Sequence, residues 1–261
     1  MEKRALITGA AGGLGQAMAL ACAERGYDLF LTDLDAARLV IFKEGLQRQY
    51  PVQVNFQACD LSDPAAVDAL WADITDQDLR FNLLVNVAGL DFEGPFMEIE
   101  SSRLNHIVRL NVESVITMIQ AVVRHRVPDQ RLHIINVSSL AAFNPMPVKA
   151  VYAASKRFLL DLSLAIGQEL AGENVRILAL CPAGMPTNAA CIRGIEAQGL
   201  AGRITTLNVS TVARRCLRHA LAGRRIYVPG LVNQFVRVAS GLMPRMIITR
   251  LIHRRWAAAH S

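Results

Sequence analysis

The chain has 261 residues, of which 52% are hydrophobic and 19% charged, and its formal net charge is +6. This composition is too apolar for an intrinsically disordered protein, and the length suits one large domain with an ample core. No acidic residue follows Glu196, and the last 61 residues hold eleven arginines and no lysine. Such a basic end is typical of contact with an acidic partner, an anionic membrane or nucleic acid, or of a solvated arginine-rich face.

Seven short apolar segments alternate with six longer amphipathic ones. We predict strands over residues 4–8, 28–32, 53–58, 82–87, 132–138, 175–180 and 225–228. We predict helices at about residues 13–25, 35–49, 63–77, 101–126, 150–172 and 208–222. The alternation predicts an α/β fold, a Rossmann-type doubly wound sheet of about seven parallel strands with helices on both faces. We expect residues 1–230 to form this domain and residues 231–261 a basic amphipathic helical extension of it.

The spacing of the cysteines and histidines shows whether disulfides or a metal site should be expected. The five cysteines are widely spaced with no C-x-x-C, so we expect no disulfide framework and a reducing, cytoplasmic environment. The six histidines show no metal-binding spacing, so we predict no metal site. Four glycines between residues 9 and 15 argue against a signal peptide.

A glycine-rich turn with the spacing G-x-x-x-G-x-G, formed by Gly9, Gly13 and Gly15, follows the first predicted strand. Glycines at this place let a pyrophosphate approach the amides of the helix N-terminus. The second strand leads to Asp33, whose carboxylate would accept hydrogen bonds from the adenosine ribose and repel a 2′-phosphate. No basic residue lies in the glycine turn or among the three residues after Asp33, so we expect NAD over NADP. Considered separately, each feature also has a structural interpretation: the glycine turn could be a tight loop only, and Asp33 could cap the turn that follows it.

Tyr152 and Lys156 lie four residues apart, on one face of a predicted helix. A nearby ammonium lowers the pKa of a tyrosine hydroxyl from about 10, so this tyrosine is a candidate acid/base for an alcohol or a carbonyl. Ser139 follows the fifth predicted strand, at the sheet edge where open α/β proteins bind ligands. A Tyr–Lys pair at this spacing is usually an exposed pair with no catalytic role. Its combination with the glycine turn supports a catalytic interpretation.

In this combination the sequence resembles the classical short-chain dehydrogenase/reductase family over about residues 3–230. The matching pieces, in family order, are Thr8-Gly9-x-x-x-Gly13-x-Gly15, Asp60, Asn86-Val87-Ala88-Gly89, Asn111, Ser139, Tyr152-x-x-x-Lys156, and Pro182-Ala183-Gly184 leading to Thr187. The chain departs from the family at Val87, where a second asparagine is usual, and at Ala183, where a glycine is usual.

The resemblance implies that Tyr152 is the general acid/base, that Lys156 lowers its pKa and binds the nicotinamide ribose, and that Ser139 hydrogen-bonds the reacting oxygen. It implies that Asn111 holds a water of a proton relay. The cofactor-binding residues that it implies are Gly9, Gly13, Leu14, Gly15, Asp33, Asp60 at the adenine amino group, Leu61, Asn86, Ala88 and Gly89 on the adenosine side, Tyr152, Lys156, Pro182, and Thr187 at the carboxamide. Considered without the resemblance, each of three residues has a purely structural interpretation. Asn111 could be a buried amide that bonds to the backbone, Asp60 could stabilise a turn, and Thr187 could cap a helix.

The expected function is hydride transfer between NAD(H), with NADP(H) as second choice, and an apolar secondary alcohol or ketone. The substrate pocket is expected from residues 91–97, 140–146 and 185–206. The alternative is a non-catalytic dinucleotide-binding redox sensor docked through the basic end. The resemblance also implies a homodimer or homotetramer.

Beyond residue 230 two amphipathic segments follow. The apolar stripe of residues 231–242 is expected to pack on the body or on a sister subunit. For residues 245–256, packing, peripheral membrane contact and a solvated tail remain open. Nucleic acid is not expected as a partner, because no aromatic residues are interleaved with the arginines.

Overall fold

The computed structural model describes residues 3–185 and 207–260, with side chains as far as residue 254. Seven parallel strands form one sheet in the order β3-β2-β1-β4-β5-β6-β7. They are β1 (Arg4–Thr8), β2 (Asp28–Asp33), β3 (Val54–Ala58), β4 (Leu83–Asn86), β5 (Leu132–Val137), β6 (Val175–Leu180) and β7 (Ile226–Tyr227). The predicted doubly wound sheet is therefore confirmed.

In the described residues, helices connect these strands and cover both faces of the sheet, and two more helices follow β7. They are α1 (Gly13–Ala23), α2 (Ala36–Gln49), α3 (Pro64–Asp76), α4 (Ser101–Val108), α5 (Ser114–Arg124), α6 (Ala150–Glu169), α7 (Val209–Leu221), α8 (Leu231–Leu242) and α9 (Arg245–His260). Several begin where the sequence offers a capping side chain. The carboxylate of Asp35 accepts from the Arg38 amide at the start of α2, and Asp63 caps α3, whose first residue is proline.

The single helix predicted over residues 101–126 is interrupted. A π-helical turn, Arg109–Glu113, separates α4 from α5 and buries Asn111 completely. Taken together, the helical residues 101–124 would be long and apolar enough to cross a membrane, by length and composition. Their apolar side, including Met118 and Val122, is buried in the core instead.

Two hydrophobic cores lie on opposite faces of the sheet, because successive strand residues point to opposite sides. Leu6 of β1 joins the core formed with α3, α5 and α6, whereas Ile7 joins the core formed with α1 and α7. The strand order reverses between β1 and β4, whose connections leave in opposite directions. A crevice at the carboxyl ends of the strands is expected at this point.

The C-terminal helix pair consists of α8 and α9. The apolar stripe predicted to pack on the body or on a sister subunit is largely exposed on this chain, at Leu231, Phe235 and Leu242, so packing on a sister subunit stays a prediction. The buried residues of α8 are Asn233 and Ser240.

Candidate active site

A cleft of about 860 Å³ opens at the carboxyl ends of the strands. The predicted site residues that border it are Gly9, Gly13, Leu14, Asp33, Asp60, Leu61, Ala88, Gly89, Ser139, Tyr152, Lys156 and Pro182. Gly15, Asn86 and Asn111 lie outside its lining, and Thr187 lies outside the described residues. The structure thus brings most of the predicted cofactor and catalytic residues to one cavity.

The glycine turn at one end of the cleft has no room for side chains. Gly9 has a φ of +64°, and a Cβ placed there would lie 2.7 Å from the Ala88 nitrogen. A Cβ on Gly15 would overlap the carbonyl oxygen of Gly9. Within the described residues no side chain caps α1, so the amides at its start remain available to a ligand. This arrangement suits the pyrophosphate of a dinucleotide.

Two opposite charges, Asp33 at the end of β2 and Arg38 of α2, border the cleft. The Oδ2 of Asp33 accepts from the Ala11 amide at 3.0 Å, and its Oδ1 accepts from the Asp35 amide at 3.3 Å. Arg38 also borders the cleft, with its Nε 3.2 Å from the carboxylate of Asp35. The sequence reasoning missed Arg38 because it considered only the three residues after Asp33.

Asp60 is held in a turn and still borders the cleft. Its Oδ1 accepts from the Ser62 hydroxyl at 2.6 Å and from the Ser62 amide at 2.8 Å. The Ser62 hydroxyl is the main cause that holds the pKa of Asp60 below its usual value. Asp60 therefore presents a charged carboxylate, as both a turn residue and a part of the cleft wall.

Asn86 was expected on the adenosine side, but its side chain is buried. The Asn86 Nδ2 donates to the Asn136 Oδ1 at 2.8 Å, and the Asn136 Nδ2 donates to the Ser163 hydroxyl at 2.9 Å. This network ties β4 and β5 to α6 beneath the cleft. The loop after β4 reaches the cleft through Val87 to Asp91 instead.

Lys156 is buried below Tyr152. Its Nζ donates to the Val137 carbonyl at 2.9 Å and lies 5.8 Å from the centre of the Tyr152 ring. Burial lowers the pKa of Lys156 to about 8, against the opposing effect of the nearby Asp91 carboxylate. The fold thus places an amine of low pKa near a phenol that faces the cleft.

Two serines follow β5 and have different tasks. The buried Ser138 hydroxyl donates to the Lys156 carbonyl at 2.6 Å and so anchors α6. The half-buried Ser139 accepts from the Ala141 amide at 3.1 Å, which leaves its hydroxyl hydrogen free to donate to a ligand. Of the two serines, Ser139 is therefore the one whose hydroxyl is available to a ligand in the cleft.

Asn111 joins the π-helical turn to the loop after β4. Its Oδ1 accepts from the Leu90 amide at 2.8 Å, and its Nδ2 donates to the Leu90 carbonyl at 2.9 Å and to the Ser155 hydroxyl at 3.1 Å. A Cβ on Gly89 would lie 3.0 Å from the Asn111 Oδ1 and 3.2 Å from the Lys156 Nζ. Asn111 therefore fixes the spacing between this loop and Lys156.

The cleft wall includes apolar side chains beside polar ones such as Asn144 and Lys149. Leu140, Met146 and Met185 border the cleft, as the sequence predicted. Val236 of α8 and Ile252 of α9 border it too, and the sequence reasoning did not place them there. The only sequence signal was the apolar periodicity of the C-terminal segments, which does not show where the helices dock.

Two ion pairs and a backbone hydrogen bond lie beside the cleft near Tyr152. The Lys149 Nζ lies 2.7 Å from the Asp91 Oδ2 and 3.4 Å from the Glu93 Oε2. The Gly94 amide donates to the Val148 carbonyl at 2.9 Å. These bonds join the loop after β4 to the start of α6.

Comparison with known families agrees with this geometry. A family model described as short chain dehydrogenase matches residues 3–193, well over half of the chain. The chain belongs to the short-chain dehydrogenase/reductase family. Solved structures similar to this chain contain NADPH or NAD, and the glycine turn, the uncapped start of α1 and Asp33 fit a dinucleotide of this kind.

Individual members of the family resemble the chain moderately. The 2-keto-3-deoxy-L-fuconate dehydrogenase of Xanthomonas campestris is 32% identical over 186 residues, which are 71% of this chain and 59% of that protein. A short-chain dehydrogenase from Sphingobium yanoikuyae in complex with NADPH is 26% identical, with a TM-score of 0.80 over 92% of this chain and 93% of that one. A family member from Burkholderia phymatum in complex with NAD has the same fold, with a TM-score of 0.80, 23% identity, and 90% and 92% coverage.

Proposed function

We propose that this oxidoreductase transfers a hydride between NAD(H) and an apolar secondary alcohol or ketone, with Tyr152 as general acid/base. The main support is that Ser139, Tyr152 and Lys156 border the same cleft as the glycine turn. A pure nucleotide-binding protein has no need of a phenol and a buried amine at that place. The proposal therefore favours catalysis over a non-catalytic redox sensor.

When bound, the nicotinamide supplies or accepts the hydride, and the protein supplies position and charge. In the reducing direction the Ser139 hydroxyl donates a hydrogen bond to the carbonyl oxygen of the substrate. Tyr152 then gives its proton to that oxygen, and the positive charge of Lys156 stabilises the phenolate that remains. Oxidation of an alcohol uses the same groups in reverse order.

Asn111 supports this step from outside the cleft. Both hydrogens of its amide are used, one by Leu90 and one by Ser155, whereas Oδ1 has accepted only one hydrogen bond. The second lone pair of Oδ1 is available to a water. Such a water beside Lys156 would let the proton taken from Tyr152 be replaced from solvent.

NAD preference is supported by Asp33, whose carboxylate occupies the place expected to face the adenosine ribose. A 2′-phosphate there would be repelled by this charge. Arg38 provides an opposing attraction, partly offset by its ion pair with Asp35. NAD(H) is thus the preferred cofactor in this proposal, and NADP(H) the second.

An apolar substrate is supported by the cleft beyond Ser139 and Tyr152. The cleft wall includes the apolar side chains of Leu140, Met146, Val236 and Ile252, beside the polar Asn144 and Lys149. Apolar walls with a few polar groups at the reacting centre are usual for small-molecule sites. We therefore expect bulky apolar ketones to be reduced faster than short polar ones.

The Tyr152→Phe variant tests the mechanism. It keeps the ring and removes the transferable proton, so turnover should fall about 10²–10⁴-fold while cofactor affinity stays near that of wild type. Tyr50→Phe, outside the cleft lining, is the matched control and should keep full activity. Near-normal turnover of Tyr152→Phe would contradict the mechanism. Cofactor binding without turnover by wild type on a panel of ketones and secondary alcohols would favour the redox sensor.

Cofactor choice is tested by the variant that combines Asp33→Ala with Leu34→Arg, since Leu34 is exposed at the cleft. Its affinity for NADP(H) should rise and that for NAD(H) fall, as measured by titration of both cofactors. As a single substitution in the otherwise unchanged protein, Arg38→Ala should weaken NADP(H) binding more than NAD(H) binding. Tighter binding of NADP(H) than of NAD(H) by wild type would show that the role given to Asp33 is wrong.

A further inference from the structure

The C-terminal helix pair exposes an unusual amount of apolar surface. More than half of the large apolar side chains that are exposed in the described part of the chain lie between residues 231 and 251. On α8, the residues Leu231, Phe235, Val238 and Leu242 follow a spacing of four, three and four, so they share one helical face. They are 84%, 72%, 60% and 83% exposed. Contiguous apolar surface of this kind marks an interaction site.

The orientation of α8 is the reverse of that of an ordinary surface helix. Its polar residues Asn233 and Ser240 are buried, and the Asn233 side chain donates to the Pro229 carbonyl at 2.8 Å. The adjoining helix α9 is attached through the buried Ile248, while Met246 and Leu251 are exposed. Because a surface helix normally turns its apolar side to the core, this orientation indicates that a partner covers the outer face.

The same helices carry positive charge and no negative charge. Arg245, Arg250, His253 and Arg254 are exposed on α9. Arg237 of α8 lies over the Phe143 ring at 5.1 Å. No acidic residue follows Glu196 anywhere in the chain. The partner must therefore be apolar and bear negative charge.

We propose that the C-terminal helix pair is a docking surface for an anionic lipid membrane. A helix lying in the interface buries its apolar face at the boundary of headgroups and acyl chains, and its arginines contact the anionic headgroups. The aliphatic and aromatic side chains of α8 and the arginines of α9 meet both requirements. This inference concerns binding only and does not depend on the proposed reaction.

A second copy of the chain is the less favourable occupant. A two-fold contact would place the same surface of both copies together and bring Arg245, Arg250 and Arg254 of one protomer near those of the other. Like charges at short distance oppose such a contact, and no acid after Glu196 compensates them. A lipid surface has the complementary charge without this cost.

Sedimentation of the full chain with lipid vesicles tests the proposal. We expect binding to vesicles of phosphatidylcholine mixed with phosphatidylglycerol, at least about tenfold weaker binding to phosphatidylcholine alone, and weaker binding as salt rises. Phe235→Ser with Leu242→Ser should weaken binding at least about tenfold. Arg250→Gln with Arg254→Gln should weaken it about 25-fold, at about fivefold for each basic residue near the surface.

A control variant removes one exposed apolar side chain and one exposed arginine from another helix. Ile41→Ser with Arg48→Gln on α2 changes a side chain that is 71% exposed and an exposed arginine, and should bind vesicles as wild type does. Unchanged cofactor affinity and thermal unfolding of each variant show that it is folded. Binding by Phe235→Ser with Leu242→Ser equal to that of wild type would overturn the proposal.

Three results for wild type would overturn it in different ways. Absence of binding to the anionic vesicles excludes the membrane directly. Binding to polyglutamate without binding to vesicles would assign the surface to an acidic polypeptide. Elution as a larger oligomer than the Phe235→Ser, Leu242→Ser variant would show that a second copy covers the face.

Discussion

The glycine turn and the C-terminal helix pair border the same cleft, but they are built in opposite ways. At the glycine turn the main chain comes so close to itself that a Cβ on Gly9 would lie 2.7 Å from a neighbouring backbone nitrogen. In the helix pair, side chains such as Phe235 and Leu242 are exposed. The first region depends on the path of the backbone and tolerates no added atom. The second depends on surface chemistry, which single substitutions change without disturbing the fold.

The largest effect is expected at Gly15. Gly15→Ala places a Cβ against the carbonyl of Gly9, so the free energy of unfolding should fall by about 3 kcal/mol or more, and cofactor binding should be lost. The control Gly45→Ala lies inside α2, where a Cβ would have no neighbour within 4 Å. It should raise the free energy of unfolding by about 0.5–1 kcal/mol through helix propensity. Urea denaturation measures the free energy of unfolding of both variants. Equal changes in the two variants would contradict the difference between a crowded glycine and an open one.

Lys156→Met should stabilise the protein at neutral pH while abolishing its activity. The pKa of Lys156 falls from 10.5 to about 8 on folding because burial disfavours its charge. Below about pH 8 wild type bears the full cost of this buried charge, up to about 3 kcal/mol at 1.36 kcal/mol per pKa unit.

The sign of the pH dependence distinguishes this account from a simple gain in packing. Between the folded pKa of about 8 and the unfolded value of 10.5, the unfolded chain binds more protons. Wild-type stability therefore rises relative to Lys156→Met across this window. Urea denaturation of both proteins at several pH values should show the advantage of the variant shrinking as pH rises. A constant advantage would contradict a pKa of about 8 for Lys156 in the folded protein.

The smallest effect is expected on the outer face of α8. Phe235→Ser and Leu242→Ser should each change the free energy of unfolding by no more than about 0.5 kcal/mol, because both side chains are already exposed. Urea denaturation without lipid is the measurement. A loss of unfolding free energy comparable to that of Gly15→Ala would show that the side chains on the outer face of α8 support the fold as the glycine turn does.

Most of the fold could be predicted from the sequence because its signals are local. Strands buried on both faces appear as short apolar runs, and each of the seven predicted segments became a strand of the sheet. The glycine turn and the Tyr152–Lys156 spacing are also local patterns. They place the phenol and the amine on one helix without reference to the rest of the chain.

What the sequence did not show depends on contacts between distant residues. Asn86 pairs with Asn136, fifty positions away, because β4 and β5 are neighbours in this register, and that pairing takes its amide from the cleft. Val236 and Ile252 reach the cleft through the docking of α8 and α9. Hydrophobic periodicity identifies the apolar side of a helix and does not say whether that side faces the core or the solvent.

The π-helical turn at Arg109–Glu113 sets a rotational offset between α4 and α5. One added residue turns the following helix by about 100°, so the two halves of this segment are out of phase. The offset lets α5 direct Met118 and Val122 into the core while the preceding turn directs the Asn111 amide to Leu90. Deleting one residue from the turn would bring both halves into a single phase. The chain would gain a regular helix, but Met118 could no longer face the core while Asn111 faces Leu90.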